Sequence, residues 1–293
     1  MNETFTIVTP SYNQGQYIEK TIESVLSQAG DFYIEYIISD NSSTDQSLDI
    51  IKKYERLIKT GQYPVKCKGL TYHYWLRKNR GQTYGLNKSF VLGTGDIFAW
   101  INSDDYYEPG ALQFIANQFQ KYPAASLIYG HCHVHYENQN RVKLLKSEFG
   151  TFEKFLRRNH TVCQPASFFT RKIFERVGGI NDRYQYAFDY DLWLKILKVG
   201  RAVCVDKVLS NFRVWSESKT FSKQEKFMAD RKEIFKHHGG NVIDPKTIYS
   251  LRARIPFIKT IRSRFPKSYN YLKKAIYFFI DKFRYHPKIK RKS

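Results

Sequence analysis

Two acidic pairs carry the side chains best suited to chemistry. Asp104 and Asp105 are adjacent in Trp100-Ile101-Asn102-Ser103-Asp104-Asp105, at the end of the apolar run DIFAWI (96–101). Two like charges there are costly unless a cation or strong donors compensate. An all-oxygen site suits a divalent ion, Mg²⁺ or Mn²⁺, itself held by ligand phosphates. The alternative is that one of the two aspartates caps the helix that follows. The second pair, Asp189 and Asp191 in Ala187-Phe188-Asp189-Tyr190-Asp191-Leu192-Trp193, opens an amphipathic stretch. Residues two apart cannot share one helical face, so at most one points squarely into a cleft. A carboxylate at a helix N-terminus is stabilised as the anion and is available as a base for a substrate hydroxyl, or it serves as a cap. Two further segments offer binding groups. Thr9-Pro10-Ser11-Tyr12-Asn13 combines hydroxyls, backbone groups and an aromatic face, and Asp40 is placed to accept hydrogen bonds from a base or ribose.

These residues need a scaffold that holds strand ends together. TFTIV (4–8), EYIIS (35–39), LTYHYWL (70–76) and DIFAWI (96–101) read as strands. Helical stretches near 16–28, 45–59 and 82–92 separate them, the first with Ile18, Ile22, Val25 and Leu26 on one face. PGALQFIANQFQKY follows as another helix, with its proline near position N1. Alternation of this kind predicts an α/β fold with a mostly parallel sheet flanked by helices, and ligands in such sheets gather beyond the strand carboxyl ends. The segments at 9–15, 40–45 and 102–105 occupy those positions. After about residue 125 the pattern turns mixed: SLIYGHCHVHY, RVKLL and AVCVDKVLSNFRVW look like strands, and 151–158, 170–177, 189–198 and 222–238 look helical.

The chain has 293 residues, 42% of them hydrophobic and 16% aromatic, which excludes disorder as the dominant state. No run of 18 apolar residues occurs, which excludes a conventional spanning helix, and no secretory signal is expected at the N-terminus. Four scattered cysteines suggest reduced thiols and a cytoplasmic protein. The net charge is +21, and it is uneven: residues 246–293 hold 15 Lys and Arg against Asp281 alone, a net of +14. Leu272, Ile276, Phe279 and Phe283 fall at steps of three to four among those bases. This reads as a basic amphipathic helix for an anionic membrane surface, or as a terminal helix packed on the domain with its lysines solvated. The expected division is a catalytic domain over 1–240, with halves at about 1–105 and 106–240, and a basic helical tail over 241–293.

Four segments in order, TIVTPSYNQGQYIEKTIESVLSQ, EYIISDNSSTD, NRGQTYGLNKSFVLGTGDIFAWINSDDYYEPGAL and CQPASFF…GGINDRYQYAFDYDLWLKI, resemble the motifs of the inverting family-2 glycosyltransferases over roughly residues 4–215. The resemblance implies their nucleotide-sugar-binding Rossmann-like fold of the glycosyltransferase A type. It also implies a nucleotide-sugar donor (UDP-, GDP- or dTDP-linked) and a glycan or lipid-linked acceptor. Thr9, Pro10, Tyr12, Asp40, Asn102 and Ser103 would serve the nucleotide. Asn102-Ser103-Asp104 stands at the family's Asp-x-Asp metal motif, making Asp104 the metal ligand. Asp189 matches the acceptor-activating base. Arg80, Gln82 and Asp105 are expected at the donor sugar or diphosphate, with Arg80 or Lys88 helping to offset the charge of the leaving group; the alternative for Arg80-Gly81-Gln82 is an ordinary exposed loop. The chain departs from the pattern at Asn102, which leaves one fewer charge for the cation, at Phe188, which replaces an acid before the base, and at Asn41, where a second Asp is common.

Transfer with inversion is an in-line displacement: the base takes the acceptor proton on one face while the nucleotide diphosphate leaves from the other. SESKTFS (216–222) is placed to close over the site and keep water from the donor. Trp215 is set either to stack on a sugar or to cap the core, and Gln164-Pro165-Ala166-Ser167 either to border the acceptor pocket or to pack in the core. His131, His133 and His135 share one strand face, which reads as polar rather than zinc-binding. Cys67 and Cys163 lack a histidine at nucleophile spacing. A nucleotidyltransferase would want a lysine in the first post-strand loop, which TPSYNQG lacks. A nucleic-acid-binding protein rests on charge alone, and no nucleic acid is expected as a partner.

Overall fold

The computed structural model describes residues 3–78, 80–157, 162–218 and 222–240. The tail expected at 241–293 and the domain boundary before it lie outside or at the edge of these residues.

One sheet runs through the molecule. Its order is β3-β2-β1-β4-β8-β6-β9-β5, with β7 paired to β6. The strands β1 (Thr4–Ser11), β2 (Gly30–Asp40), β3 (Cys67–Leu76) and β4 (Ile97–Trp100) pair in parallel. The helices α1 (Gly15–Leu26), α2 (Ser47–Lys59) and α3 (Gln82–Leu92) connect them. Here the sequence pattern holds to within a few residues, because β1, β4 and the end of β2 are buried on both faces and read as apolar runs, while β3 lies at the sheet edge. The second half is different. β5 (Tyr106–Tyr107), β6 (Leu127–Tyr136), β7 (Arg141–Leu145), β8 (Ser167–Thr170) and β9 (Ala202–Val214) pair mainly antiparallel, with β6 and β9 parallel. The first four strands are thus wholly parallel, and the second half keeps only the β6–β9 pair in that sense. The remaining helices are α4 (Ala111–Lys121), α5 (Phe152–Arg157), α6 (Arg171–Arg176), α7 (Phe188–Val199) and α8 (Gln224–His237). Proline 109 does not stand at N1 of α4: Gly110, at φ 74°, takes the left-handed turn that only glycine adopts freely, and the helix starts at Ala111.

Alternation along the central strands divides the interior into two cores. Ile97 and Ala99 face one, with Ile18 and Ile22 of α1, Ile51 of α2 and Ile115 of α4. Phe98 and Trp100 face the other, with Leu86 and Phe90 of α3, Phe174 of α6 and Trp193 of α7. Trp100 and Trp193 stack at 5.7 Å between ring centroids and 15° between planes. That stack joins β4, which leads into Asn102-Ser103-Asp104, to α7, whose first turn holds Asp189. It fixes the two acidic segments relative to each other, and such aromatic pairs add about 0.5–1.5 kcal/mol beyond their buried area.

Candidate active site

The post-strand segments meet α7 across a single cleft of about 860 Å³. Pro10 and Tyr12 from the β1 loop, Gln82 from the start of α3, Asn102, Ser103 and Asp104 from the β4 loop, and Asp189 from α7 all line it.

The β4 loop is held by a closed set of hydrogen bonds. Asn102 accepts from Gln82 Nε2 (2.8 Å) and donates to Asp105 Oδ2 and to Gln164 Oε1 (both 3.2 Å). Gln164 in turn donates to the Trp100 carbonyl (2.8 Å). Ser103 Oγ donates to Gln14 Oε1 (2.7 Å), and Thr21 Oγ1 donates to the carbonyls of Ser103 (3.0 Å) and Asp105 (2.6 Å). Trp215 Nε1 donates to Asp104 Oδ2 (3.0 Å), and Arg213 Nη1 donates to the Asp104 carbonyl (2.9 Å). Burial pushes the Asp104 carboxyl upward in pKa, against the pull of Trp215 and Arg213. Asp105 is pushed up further, by burial first and then by the charge of Asp104.

On α7, Asp189 lines the cleft and accepts from the Tyr190 amide (2.8 Å). The sequence expects the helix N-terminus to favour the anion, but burial is the larger effect and its pKa is raised, with the Tyr190 amide and Arg231 acting in the opposite sense. Asp191 points the other way. It is fully buried, bonded to His238 Nε2 (2.8 Å), with Lys195 Nζ at 3.6 Å.

Four expected ligand residues are not brought to the cleft wall. Thr9 is buried with its hydroxyl on Tyr36 (2.9 Å), because its position on β1 turns it into the sheet. Asp40 is covered by its own loop, accepting from Ser43 N and Ser43 Oγ (both 2.7 Å). Arg80 lies exposed with its guanidinium 5.2 Å from the Tyr84 ring centroid. Asp105 is fully buried and anchors β9 through the Arg213 amide (3.0 Å), so it meets no ligand in this arrangement. Lys88 is exposed on α3, away from the lining. In the segment expected to close the site, Glu217 and Ser218 line the cleft, and 219–221 lie outside the described residues.

Other lining residues escape a reading of the sequence. Arg77 donates to Ser39 Oγ (3.0 Å) and Asn41 Oδ1 (2.9 Å) beside Asp40, and burial lowers its pKa against the pull of that carboxylate. A side chain at Gly85 would meet Arg77 Nε and Ser39 Oγ at 2.7 Å, so glycine keeps that corner open. The signal was available, since β2–β3 pairing sets Asp40 opposite Leu76 and so places Arg77 next in line. Arg213 and Arg231 carried no such signal.

The histidine row is a polar strand face with a separate partner for each ring. His131 meets Asp206 (2.9 Å), His133 meets Glu108 (3.3 Å) and His135 meets Asn211 (2.7 Å). Among the described residues, no three His, Cys, Asp or Glu side chains gather as a ready-made metal site. Within the cleft, the oxygen donors nearest that chemistry are Asp104 and its neighbours Asn102 and Ser103.

Comparison with known proteins matches residues 6–178 to glycosyl transferase family 2. The chain is 26% identical over 221 residues to chondroitin synthase of Escherichia coli, covering 74% of this chain and 30% of that protein. It is 32% identical over 108 residues to the putative teichuronic acid biosynthesis glycosyltransferase TuaG of Bacillus subtilis, covering 37% and 38%. The match thus spans well under half the length of either relative. Among solved structures, S. aureus TarS 1–349 in complex with UDP aligns at TM-score 0.59 and 18% identity, over 81% of this chain and 65% of that one. The mannosyltransferase PcManGT from Pyrobaculum calidifontis, in complex with GDP-Man and Mn²⁺, aligns at TM-score 0.53 and 18% identity, over 74% and 59%.

Proposed function

Because the chain belongs to glycosyl transferase family 2, we propose that it moves a sugar, with inversion, from a nucleoside-diphosphate sugar to a hydroxyl of a glycan or lipid-linked acceptor. The supporting observation is the convergence of Asn102-Ser103-Asp104 and Asp189 on one cleft with Pro10 and Tyr12. Pro10, Tyr12, Asn41 and Arg77 form the nucleoside end, with Asp40 behind them. Gln82 and Asn102 lie on the donor side between that end and α7. Asp189 takes the proton of the acceptor hydroxyl, and its raised pKa makes the ionised carboxylate a stronger base than an exposed aspartate.

The donor set fits Mg²⁺ or Mn²⁺ shared with the diphosphate, since such ions keep several waters and take one or two carboxylates plus substrate phosphates. Asp104 would hold it, and Asn102 in place of an acid suits an ion carried mainly by the nucleotide. When bound, the ion offsets the negative charge that develops on the departing diphosphate. The solved relatives with UDP and with GDP-Man and Mn²⁺ support a donor and ion of these classes. Among the described residues no helix is long and apolar enough to cross a membrane. The basic segment 246–293 then serves to hold the protein on an anionic membrane surface at the cytoplasmic face, where a lipid-linked acceptor would lie.

A thermal-shift panel of UDP, GDP, dTDP and their sugars, with and without Mn²⁺, tests the donor reading. One nucleotide should raise Tm, more so with Mn²⁺, and Asp104→Asn should abolish the Mn²⁺-dependent part. No shift with any nucleotide sinks the proposal. Deleting 246–293 should release the protein from phosphatidylserine vesicles while leaving cooperative melting intact; retained binding removes the tail from that role.

A further inference from the structure

Helices α7 and α8 both lie beyond residue 178, where the family match ends. α8 and the residue that follows it meet α7 and its lead-in through several side chains. Asp230 Oδ2 accepts from the amides of Tyr186 (2.8 Å) and Ala187 (3.3 Å), the two residues that lead into α7. Arg231 places its guanidinium 4.4 Å from the Tyr190 ring centroid and lines the cleft with Asp189. His238, just after α8, bonds Asp191 (2.8 Å). The first contact braces the lead-in to α7 from another helix: α7 has no side-chain cap of its own at Ala187, and Asp230 holds the amides of that residue and of the one before it. Besides Asp189 and Arg231, the charged side chains lining the cleft are Arg77, Asp104, Arg213 and Glu217. Of these groups, Arg231 is the one whose charge acts on Asp189.

We propose that α8 is a working part of the catalytic centre: Arg231 is the positioning residue of the Asp189 carboxylate, and Asp230 fixes the turn from which α7 and its base begin. This rests on the reading of Asp189 as the base. Asp189 is half-buried, and the lost solvation weighs against its charge. Asp189 has the Tyr190 amide on one oxygen. A guanidinium held over the neighbouring ring supplies the opposite charge that keeps a desolvated carboxylate ionised. Its planar fork, lying against Tyr190, does so at a fixed place. Removing Asp230 would free the start of α7 to fray, and the carboxylate would lose its orientation toward the cleft.

The test is a ¹³C NMR titration of the Asp189 carboxyl in the full chain, its resonance assigned by its loss in Asp189→Asn. In Arg231→Gln the midpoint should rise by about one pH unit, a tenfold gain in proton affinity. In Arg231→Lys it should stay close to that of the unsubstituted protein. A midpoint unmoved in Arg231→Gln, with the variant melting normally, overturns the role of Arg231. Asp230→Ala should speed hydrogen exchange at the Tyr186 and Ala187 amides by at least tenfold; unchanged protection there overturns the role of Asp230. Whether Asp189→Asn stops sugar transfer is a separate measurement. Undiminished transfer in that variant overturns the base itself, and with it this proposal, even where the Arg231→Gln midpoint has moved.

Discussion

The β4 loop and the start of α7 solve the same problem in the same way. Each carries two aspartates within three residues, and each divides them: one carboxylate lines the cleft and its neighbour is fully buried on a structural partner. At the β4 loop the cleft-facing member is Asp104, while Asp105 anchors β9 through the Arg213 amide. At α7 it is Asp189, while Asp191 holds His238 and Lys195. The partners differ in kind. Asp191 faces ionisable side chains, whereas among the described residues the Asp105 side chain is met by an amide N–H and the Asn102 side chain. Charge density near a site is therefore a poor guide to which carboxylate does chemistry. Half of the acidic groups here are spent on holding the other half in place.

The largest effect should come from the cleft-facing member of the second pair. Asp189→Asn keeps the shape and the Tyr190 contact but removes the base, so transfer should fall by about 10²–10⁴-fold, with nucleotide affinity within twofold of the starting value. Steady-state kinetics alongside calorimetric titration of the nucleotide checks this. Equal loss of rate and affinity would place Asp189 in donor binding and remove it from the role of base.

Its buried neighbour should give the reverse phenotype. Asp191→Asn leaves Lys195 without its counter-charge and weakens the buried bond to His238, and stability should drop by about 2–3 kcal/mol. Activity per folded molecule should stay near the starting value. Urea unfolding and active-site titration separate the two quantities, and a variant that melts normally but transfers poorly would move Asp191 into the catalytic group.

The two regions were not equally legible in the sequence. The strands β1 to β4 and their helices followed from alternating apolar runs, and the cleft positions of Pro10, Tyr12, Asn102, Ser103 and Asp104 followed from the rule that ligands gather at strand carboxyl ends. That rule does not resolve which side chains at a strand end turn inward. Thr9 and Asp40 both sit at such ends, yet one faces the sheet and the other is closed off by Ser43. At Asp104-Asp105 the ambiguity was between a ligand and a cap. The outcome, an anchor for a strand about 100 residues later, depends on long-range pairing that local pattern does not encode. β5 has two residues, too few for any periodicity. The parts played by Arg213, Arg231 and Asp230 come wholly from tertiary packing.

Asn102 separates the two regions again, because its amide serves both the cleft and the anchor. Asn102→Asp restores the acidic first position of the family's motif but removes the N–H groups given to Asp105 and Gln164. A third carboxylate would then face Asp105. The expected result is a loss of about 1–2 kcal/mol in the absence of metal, together with tighter Mn²⁺ binding and a larger Mn²⁺-dependent rise in Tm. Thermal melts with and without Mn²⁺ decide it. If stability is unchanged without metal, the amide of Asn102 is not holding Asp105, and the division of labour in that loop is drawn wrongly.

The finest test concerns the protons on the first pair. Asp105 is raised well above an ordinary aspartate by burial and by Asp104, so in the folded protein it keeps its proton to higher pH than in the unfolded chain. Between those two values unfolding releases a proton. Stability is therefore greatest below the unfolded value near 4 and declines as pH rises, by at most about 1.4 kcal/mol per pH unit for one group. Asp104 and Asp189 are shifted in the same direction and add to the slope. Asp105→Asn cannot ionise, so it should flatten the stability–pH curve above pH 4 while costing a roughly constant amount for its weakened contacts with Asn102 and the Arg213 amide. Urea unfolding at steps from pH 4 to 8 measures both components. A slope unchanged by the substitution would mean that Asp105 is ionised throughout, held by donors alone.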